Sequence, residues 1–443
     1  MRYGGSGLSG RGRLARSLVR SKRDYVLYVL RHRKGFTVAL VLFLIAVVMF
    51  VASPIAGSPV LTVLGLISTL GSVAEFRRHW RELRSYTLEP AEVEYESLAP
   101  PPYTEVVALP RRTRENDYAV AARRQLLRAS GLTSEGDAAT VATWDGSNYE
   151  LPSDMKSIAA GVLYGHYRRN DAPHFNGRVV RQVTDLDATG RVAISGADYF
   201  DLLTTNYLAG RTVCDASGNC VVDGPPWLSS VRPDGSRRML SLRQSRLANV
   251  IGVSSLAFTA DVPRRLVLVR QSPVSASSPG LWAPSASGSM DERDVASRRP
   301  GEEMSFSQLV VRAMERELVE ESNIEPALIL GTRILGYYRW LNKGGKPEYA
   351  GVTRLGVRAD QLRLLPRVEE RPWVKRVSIL GELDMTALRR GETLQALPED
   401  LHDMARHEHV HLRDSTSFPL YMCLRYLGSA LRHDTELRRW LGA

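Results

Sequence analysis

The sequence predicts an α/β chain in which a two-helix transmembrane hairpin precedes an α+β extension and a C-terminal domain. Three observations predict it: a charge-free run at 35–74, mixed helix-like and strand-like patterns after residue 115, and a glutamate-bearing helix flanked by strand-like segments. The 443 residues suffice for two or three domains. We place a basic arm at 1–34, the hairpin at 35–75, a juxtamembrane helix with a Pro-rich linker at 76–115, the extension at 116–245 and the C-terminal domain at 246–443.

Positive charge is concentrated in the N-terminal arm. Of the formal net charge of +11, residues 1–34 contribute +9 through ten Lys or Arg and one Asp, which leaves +2 for the remainder. A nearly neutral folded part is not expected to bind polymeric nucleic acid. The arm, in contrast, is suited to contact with anionic membrane lipid.

The charge-free run is too long for one membrane-spanning helix and suits two. A Pro- and Gly-containing turn divides it, so we predict spans over about 35–52 and 58–75. Basic residues lie outside both spans and none lies in the turn, which places both chain ends in the cytoplasm. A signal peptide and a buried core hairpin are the alternatives, and the long arm opposes the first. Small residues such as Gly65 favour close helix contact and a homo-oligomer.

Residue patterns after the hairpin predict alternating elements. We expect helices at 119–128, 197–203, 305–322 (with Ser307 as N-cap) and about 420–442, strands at 177–183, 190–194, 250–260, 265–270, 327–340 and 349–357, and a loop at 272–301. The role of the extension is open between ligand recognition and dimerisation. Cys214, Cys220 and Cys423 match no zinc spacing, and the first two flank a predicted hairpin turn as a reduced pair.

Glu317, Glu320 and Glu321 are the strongest candidates for a functional site. Their i, i+3, i+4 spacing puts them on one face of the predicted helix, where like charges are destabilising. A hard divalent cation, Mg2+ or Mn2+, prefers such oxygen ligands. The alternative is a solvated acidic helix face.

The run Arg316-Glu317-Leu318-Val319-Glu320-Glu321, followed by Ile324, resembles the signature of the Nudix family. That signature reads Gly, five residues, Glu, seven residues, Arg-Glu, an apolar residue, any residue, Glu-Glu, any residue, Gly and an apolar residue. The resemblance implies an α/β/α sandwich and pyrophosphate hydrolysis. It also implies that the three glutamates bind the metal ion and that Arg316 orients a glutamate by ion pairing.

This chain departs from the signature at three places. Asn323 replaces the Gly after the helix, and Asn also tolerates the left-handed conformation of a cap. Gln308 occupies the upstream Glu position, while Gly301-Glu302-Glu303 lies six residues too early. We therefore expect a loop insertion inside the signature, with Glu302 or Glu303 as the assisting carboxylate.

The two-span N-terminus, this helix and the segment Gly-Gly-Lys-Pro-Glu-Tyr at 344–349 resemble the SMODS-associated Nudix proteins. Those proteins are bacterial, membrane-tethered and found beside cyclic-oligonucleotide synthases in antiphage defence. The resemblance implies an effector at the inner membrane. Two activities stay open: hydrolysis of a nucleoside diphosphate-linked substrate, and sensing of a nucleotide or cyclic oligonucleotide that drives hairpin oligomerisation and membrane disruption.

Lys346, Arg339 and Glu348 are candidates for contact with substrate phosphates or their metal ion, although a solvated turn explains them almost as well. They surround the predicted Gly-Gly turn. No nucleophile elbow and no P-loop occur in the chain.

Glu369 and Glu370 lie in a predicted loop after the signature, where the resemblance implies a further acidic residue, although a surface loop is the favoured interpretation. The alternating His407, His409 and His411 would share one face of a strand. They would form a transition-metal site only with a fourth ligand, and an exposed polar segment is the favoured interpretation.

Overall fold

The computed structural model describes residues 7–56, 59–112, 114–133, 139–170, 174–275, 277–368, 370–381, 383–403 and 408–442. Its mixed α/β fold confirms the predicted fold class at this coarse level. Within these residues the α-helices are α1 (Gly7–His32), α2 (Lys34–Ala56), α3 (Pro59–Ser85), α4 (Arg124–Ala129), α5 (Ser153–Lys156), α6 (Ala159–Asn170), α7 (Tyr199–Thr204), α8 (Phe306–Ser322), α9 (Met385–Arg390), α10 (Phe418–His433) and α11 (Thr435–Leu441).

The strands of the described chain form a nine-stranded sheet, a four-stranded sheet, two three-stranded sheets and a two-stranded hairpin. They are β1 (Thr87–Pro90), β2 (Leu98–Ala99), β3 (Thr104–Leu109), β4 (Asp117–Ala122), β5 (Val141–Asn148), β6 (Arg178–Gln182), β7 (Arg191–Asp198), β8 (Arg211–Cys214), β9 (Cys220–Asp223), β10 (Ser229–Val231), β11 (Arg237–Met239), β12 (Gly252–Phe258), β13 (Leu266–Gln271), β14 (Trp282–Ala283), β15 (Ala286–Ser289), β16 (Glu303–Ser305), β17 (Ile329–Trp340), β18 (Lys346–Leu355), β19 (Val374–Ile379), β20 (Asp400–Asp403) and β21 (Glu408–His411).

The nine-stranded sheet organises the C-terminal half. Its order is β14-β13-β12-β18-β17-β4-β3, with β15 paired to β12 and β19 paired to β13. The β12–β18 pair is parallel and the β17–β18 pair is antiparallel. Strand β3 precedes the extension and β4 lies at its start. Because both strands complete this sheet, they belong structurally to the C-terminal half.

Helices α8 and α10 cover opposite faces of this sheet. A Cβ atom at Gly336, which pairs with Ala350, would overlap the Tyr426 ring of α10. A Cβ atom at Gly351, the next residue along β18, would lie 2.6 Å from the Met314 sulfur of α8. Successive residues of a strand point to opposite faces, so the two helices sandwich the sheet.

Helix α8 is amphipathic and ends where the sequence predicts. Its buried apolar side chains recur at helical spacing: Phe306, Leu309, Val310, Ala313, Met314 and Leu318. Asn323 adopts the left-handed conformation with φ 55°, which confirms it as the cap in place of glycine. The N-cap prediction at Ser307 is wrong: Ser305 has extended backbone angles and is the N-cap, so Ser307 lies inside the first turn of the helix.

The basic arm forms a helix that packs on the extension. Tyr25, Tyr28 and Val29 of α1 are buried in one cluster with residues of α6 and α7. The Tyr28 hydroxyl lies 3.0 Å from Thr204 Oγ1, and its ring meets Phe200 edge-on. The arm is therefore held by the folded chain, at least over its second half.

Helices α2 and α3 pack against each other and leave much apolar side-chain surface exposed. A Cβ atom at Gly65 would lie 3.1 Å from the Phe50 backbone nitrogen, so the backbones approach closely there. Within the described residues, the segment Lys34–Ala52 is long and apolar enough to cross a membrane. The second span stays a prediction, as does the membrane location.

Three local predictions are wrong. Residues 119–122 belong to β4 rather than to a helix, because pairing with β3 and β17 buries them and overrides the helix propensity of alanine. Residues 104–109, expected as linker, form β3, and the expected loop 272–301 contains β14 and β15. Cys214 and Cys220 do lie opposite each other as free thiols.

Candidate functional site

A cavity of about 310 Å3 lies beside α8 and β15 and extends to the extension and the β17–β18 turn. Its acidic side chains and Arg316 come mainly from α8 and neighbouring loops. Its basic and aromatic side chains come from the extension, the β17–β18 turn and the segment before β19. The polar and aromatic lining includes Phe175, Tyr199, Tyr207, Asp291, Arg316, Glu317, Glu320, Glu321, Trp340, Lys343, Lys346, Glu348, Glu370 and Trp373.

The α8 glutamates reach this cavity because β15 passes unusually close to the helix. A Cβ atom at Gly288 would overlap the Glu317 carboxylate, so only glycine leaves room for that side chain. The next residue of β15 also contacts α8: the Ser289 carbonyl oxygen accepts a hydrogen bond from Arg316 Nη2 at 2.9 Å.

Arg316 is the centre of the acidic region. Its Nε and Nη2 atoms bind the two carboxylate oxygens of Asp294, both at 2.9 Å, and its Nη1 atom binds Glu317 at 2.9 Å and Glu320 at 2.8 Å. The Arg316 side chain is 17% exposed and Asp294 only 3%. Burial alone would lower the pKa of the guanidinium, but Glu317, Asp294 and Glu320 together raise it. Arg316 therefore stays charged and fixes the orientation of two glutamates.

Glu321 lies deeper than the other two glutamates. Its carboxylate accepts hydrogen bonds from the Ser287 backbone nitrogen at 2.9 Å and from Gln271 Nε2 at 3.3 Å. Burial, Glu317 and Glu370 raise the pKa of Glu321 well above its ordinary value. Burial likewise raises the pKa of Glu317, against the opposing effect of Arg316. Negative charge in this region is thus poorly compensated by Arg316 alone.

These carboxylates suit a hard cation by their chemistry. Glu317, Glu320 and Glu321 line the same cavity and supply oxygen donors, which Mg2+ and Mn2+ prefer. Within the described residues, no three His, Cys, Asp or Glu side chains converge as a preformed metal cluster. Glu317, Glu320 and Glu321 share the cavity lining, and Arg316 contacts the first two. The metal site stays a prediction.

A buried ion pair from β18 adjoins the cavity. Lys346 Nζ lies 2.5 Å from Glu348 Oε1, and both side chains are almost fully buried. Gly252 of the neighbouring strand β12 makes room for the pair, since a Cβ atom there would overlap both side-chain ends. Burial raises the pKa of Glu348, although Lys346 opposes that change.

Lys343 provides a second ammonium group next to aromatic rings. Its Nζ atom lies 3.7 Å from the centroid of the Tyr207 ring and 5.5 Å from that of Trp340. Burial lowers the pKa of Lys343 to about 7. This amine is therefore poised to change its charge near neutral pH.

Four half-buried aromatic side chains line the same cavity: Phe175, Tyr199, Tyr207 and Trp373. The Phe175 and Trp373 rings meet edge-on with centroids 5.6 Å apart. Burial and the nearby Glu317 raise the pKa of Tyr199 to about 12, which links this ring to the acidic region. Partly exposed rings of this kind can hold a planar group.

Three predicted site residues lie elsewhere. Glu302 accepts a hydrogen bond from Ser297 Oγ, and Glu303 of β16 pairs with Arg191. The buried Arg339 binds Asp185 at 3.0 Å and the Leu240 carbonyl at 2.8 Å.

None of Glu302, Glu303 and Arg339 lines the cavity, whereas Lys346, Glu348 and Glu370 do. Glu369, His407 and the side chain of His409 lie outside the described residues.

Asp294 is the residue that sequence reasoning missed. It stands six positions after Gly288, which is the spacing of the Gly and Glu in the Nudix signature, with Asp in place of Glu. If Asp is taken as equivalent to Glu at this spacing, the resemblance to the signature includes Asp294, and the extra residues lie between Asp294 and Arg316.

Comparison with known proteins adds no identification. No family model and no curated protein matches this chain. One solved structure that matches is that of DR0079 from Deinococcus radiodurans, with 17% sequence identity over 32% of this chain and 70% of that chain, and a TM-score of 0.21.

Proposed function

We propose that this protein is a membrane-anchored, Nudix-type hydrolase that cleaves the pyrophosphate group of a nucleoside diphosphate-linked substrate with Mg2+ or Mn2+. One observation carries the proposal: a single cavity combines the α8 carboxylates with two lysines and four half-buried aromatic rings. A nucleotide needs both kinds of group, since its phosphates require cations and its base requires an apolar or stacking surface.

The side chains of the cavity have separate roles in the proposed reaction. Glu317, Glu320 and Glu321 would hold the metal ion, which when bound supplies charge neutralisation and an activated water. Arg316 orients Glu317 and Glu320 through the contacts at 2.9 and 2.8 Å. Lys343 contacts a phosphate group while the neighbouring rings enclose the base and exclude water.

Turnover tests this function directly. We expect the full-length protein in neutral detergent with Mg2+ to hydrolyse at least one member of a panel of nucleoside diphosphate derivatives. Glu320→Gln or Glu321→Gln should reduce the rate by about 100-fold, the scale for losing one electrostatic stabiliser of the transition state.

Glu325→Gln is the matched control, because this exposed glutamate lies just beyond α8 and outside the cavity. Equal rates for all variants, or no turnover of any panel member, would remove the enzymatic proposal.

We also propose that α2 and α3 form a hairpin in the inner membrane and that the protein is a homo-oligomeric effector of cyclic-nucleotide antiphage defence. Both helices expose large apolar side chains, among them Val41, Leu44, Val63 and Leu70. Apolar surface of this extent calls for lipid or another copy of the hairpin. Recovery of the full-length protein in the soluble fraction without detergent would refute the membrane location.

A second candidate, a non-catalytic nucleotide sensor, is favoured by contacts between α1 and the cavity lining. The Arg20 guanidinium lies 5.1 Å from the Phe175 ring centroid, and Arg31 binds Asp198 at 2.9 Å, next to Tyr199. A ligand that displaces Phe175 or Tyr199 would therefore strain contacts to α1, which leads directly into α2.

Vesicle leakage distinguishes the sensor from the enzyme. A cyclic di- or trinucleotide that binds without turnover and releases dye from protein-containing vesicles supports the sensor. Asp198→Asn should then reduce leakage while leaving ligand affinity nearly unchanged. Leakage that is independent of every nucleotide tested would contradict it.

A further inference from the structure

Another cavity, of about 280 Å3, lies between the β4–α4 region and the C-terminal helices α10 and α11. It shares no lining residue with the α8 cavity. Five arginines line it: Arg123, Arg124, Arg333, Arg425 and Arg432. They come from β17, α10 and the start of α4, so the fold rather than a local sequence run brings them together.

The lining of this cavity is predominantly positive. Among the described residues it contains the carboxylates Glu105 and Asp434 against five arginines, a formal net charge of +3, and Glu436 pairs with Arg333 from outside the lining. All residues after position 34 together sum to only +2. Concentrating like charges in one cavity is unfavourable unless a counter-charge is supplied, because each positive charge raises the electrostatic free energy of its charged neighbours.

Both carboxylates are already engaged. Glu105 binds Arg425 at 2.6 Å and lies 3.6 Å from Arg123. Asp434 accepts a hydrogen bond from the Leu437 backbone nitrogen and caps α11. Glu105 thus pairs with two of the arginines, while Asp434 serves mainly as the cap of a helix.

Arg333 retains an unused donor. Its Nη2 atom binds Glu436 at 2.7 Å, and its guanidinium stacks on Trp440 at 4.9 Å. Its Nη1 atom is buried and has no hydrogen-bond partner within the described chain. A buried donor without an acceptor costs free energy, which an acceptor in the cavity would recover.

The floor of this cavity is apolar. Leu127, Leu335 and Leu437 line it, and so does Tyr426, whose hydroxyl donates to the Tyr337 carbonyl at 2.5 Å. The cavity thus has an arginine rim over an apolar floor. That combination matches an anion attached to an apolar or planar body.

We propose that this arginine-rimmed cavity binds a phosphate ester of about mononucleotide size. Guanidinium groups bind phosphate oxygens through paired hydrogen bonds, and a phosphate group supplies an acceptor for Arg333 Nη1 and negative charge opposite the arginine rim. The volume is close to the lower end for small-molecule sites, which suits one nucleotide rather than a polymer. This site is independent of the proposed hydrolase activity.

Equilibrium binding of AMP and of inorganic pyrophosphate tests the proposal. The full-length protein is used in neutral detergent with EDTA, because without a divalent cation the carboxylates of the α8 cavity repel anions. We expect saturable binding, with AMP tighter than pyrophosphate because of the apolar floor. The double variant Arg124→Gln/Arg432→Gln should weaken it about tenfold or more, as expected for losing hydrogen bonds to a charged group.

Two controls locate the binding. Arg358→Gln removes an exposed arginine outside both cavities, and Lys343→Gln removes a cation of the α8 cavity. Neither should change AMP affinity. Three results would overturn the proposal. AMP binding could be lost in Lys343→Gln alone, it could be equal in the wild type and all three variants, or it could fail to saturate.

If the double variant melts at a lower temperature than the wild type, Arg432→Gln alone repeats the measurement, since this side chain is exposed. The same phosphate chemistry occurs in lipid headgroups. Displacement of AMP by phosphatidic acid in mixed micelles would assign the site to a lipid, whereas displacement only by soluble phosphates would assign it to a metabolite.

Discussion

The two cavities have excess charge of opposite sign, and they differ in how protein groups compensate it. In the α8 cavity the excess charge is negative, and Arg316 compensates part of it from within through contacts to Asp294, Glu317 and Glu320. In the arginine-rimmed cavity the excess is positive, and the two carboxylates are already committed. The first site is therefore organised by contacts within the protein, whereas the second presents an arginine-rich lining that suits an anionic ligand. Four predictions test this contrast.

Replacing Arg316 should have the largest effect on stability. Arg316→Ala leaves Asp294, which is 3% exposed, without its partner, and should lower the free energy of unfolding by about 3–5 kcal/mol. Thermal unfolding in detergent measures this. Arg293→Ala is the control, because Arg293 is 68% exposed and its pairs should contribute no more than about 1 kcal/mol. Similar melting temperatures for both variants would show that the site is not internally organised.

Asp294 should act as a positioning residue for Arg316. On the proposed hydrolase function, Asp294→Asn should lower kcat by about 10- to 100-fold with little change in KM, the scale for groups that orient metal ligands. Asp294→Glu should restore much of the rate, since Glu is the residue of the signature at this spacing. A purely structural role predicts instead that the melting temperature falls while kcat per folded molecule does not change.

Ligand affinity in the α8 cavity should depend on pH through Lys343. Its pKa of about 7 lies below the ordinary lysine value, so the ammonium is present below pH 7 and is lost as the pH rises through that value. Affinity for a non-hydrolysable methylene analogue of ADP should fall by up to about tenfold from pH 6 to pH 8. Lys343→Arg keeps its charge over this range and corrects for titration of the ligand. Parallel pH curves for both proteins would exclude Lys343 as the cause.

Single substitutions on the arginine rim should have the smallest effect on stability. Arg432 is exposed and donates to the Arg389 carbonyl at 3.1 Å, so Arg432→Gln should change the free energy of unfolding by less than about 1 kcal/mol without a ligand. With a saturating phosphate ester the wild type should gain more stability than the variant. A large loss in the ligand-free protein would mean that the arginines are structural.

Much of the C-terminal half could be predicted from local patterns. The strands β12, β13, β17 and β18 follow apolar runs, and α8 follows its apolar periodicity up to the left-handed Asn323. The helix predicted at 119–128 is present from Arg124 onward, whereas 119–122 form a strand, because alanine favours a helix when alone and fits a strand when a sheet buries both faces. Glu302 and Glu303 were predicted as assisting carboxylates from their spacing, but the structure pairs them with Ser297 and Arg191 instead.

By itself, the sequence determined the α8 glutamates, their shared helix face and the concentration of positive charge in the arm, because these depend on spacing along the chain. Three further features arise from folding: Asp294 binds Arg316, α1 contacts a residue of the cavity lining, and arginines as distant as Arg124 and Arg432 share one cavity. The physical reason is that contacts between distant segments follow from how the sheet buries both its faces, which no local pattern contains.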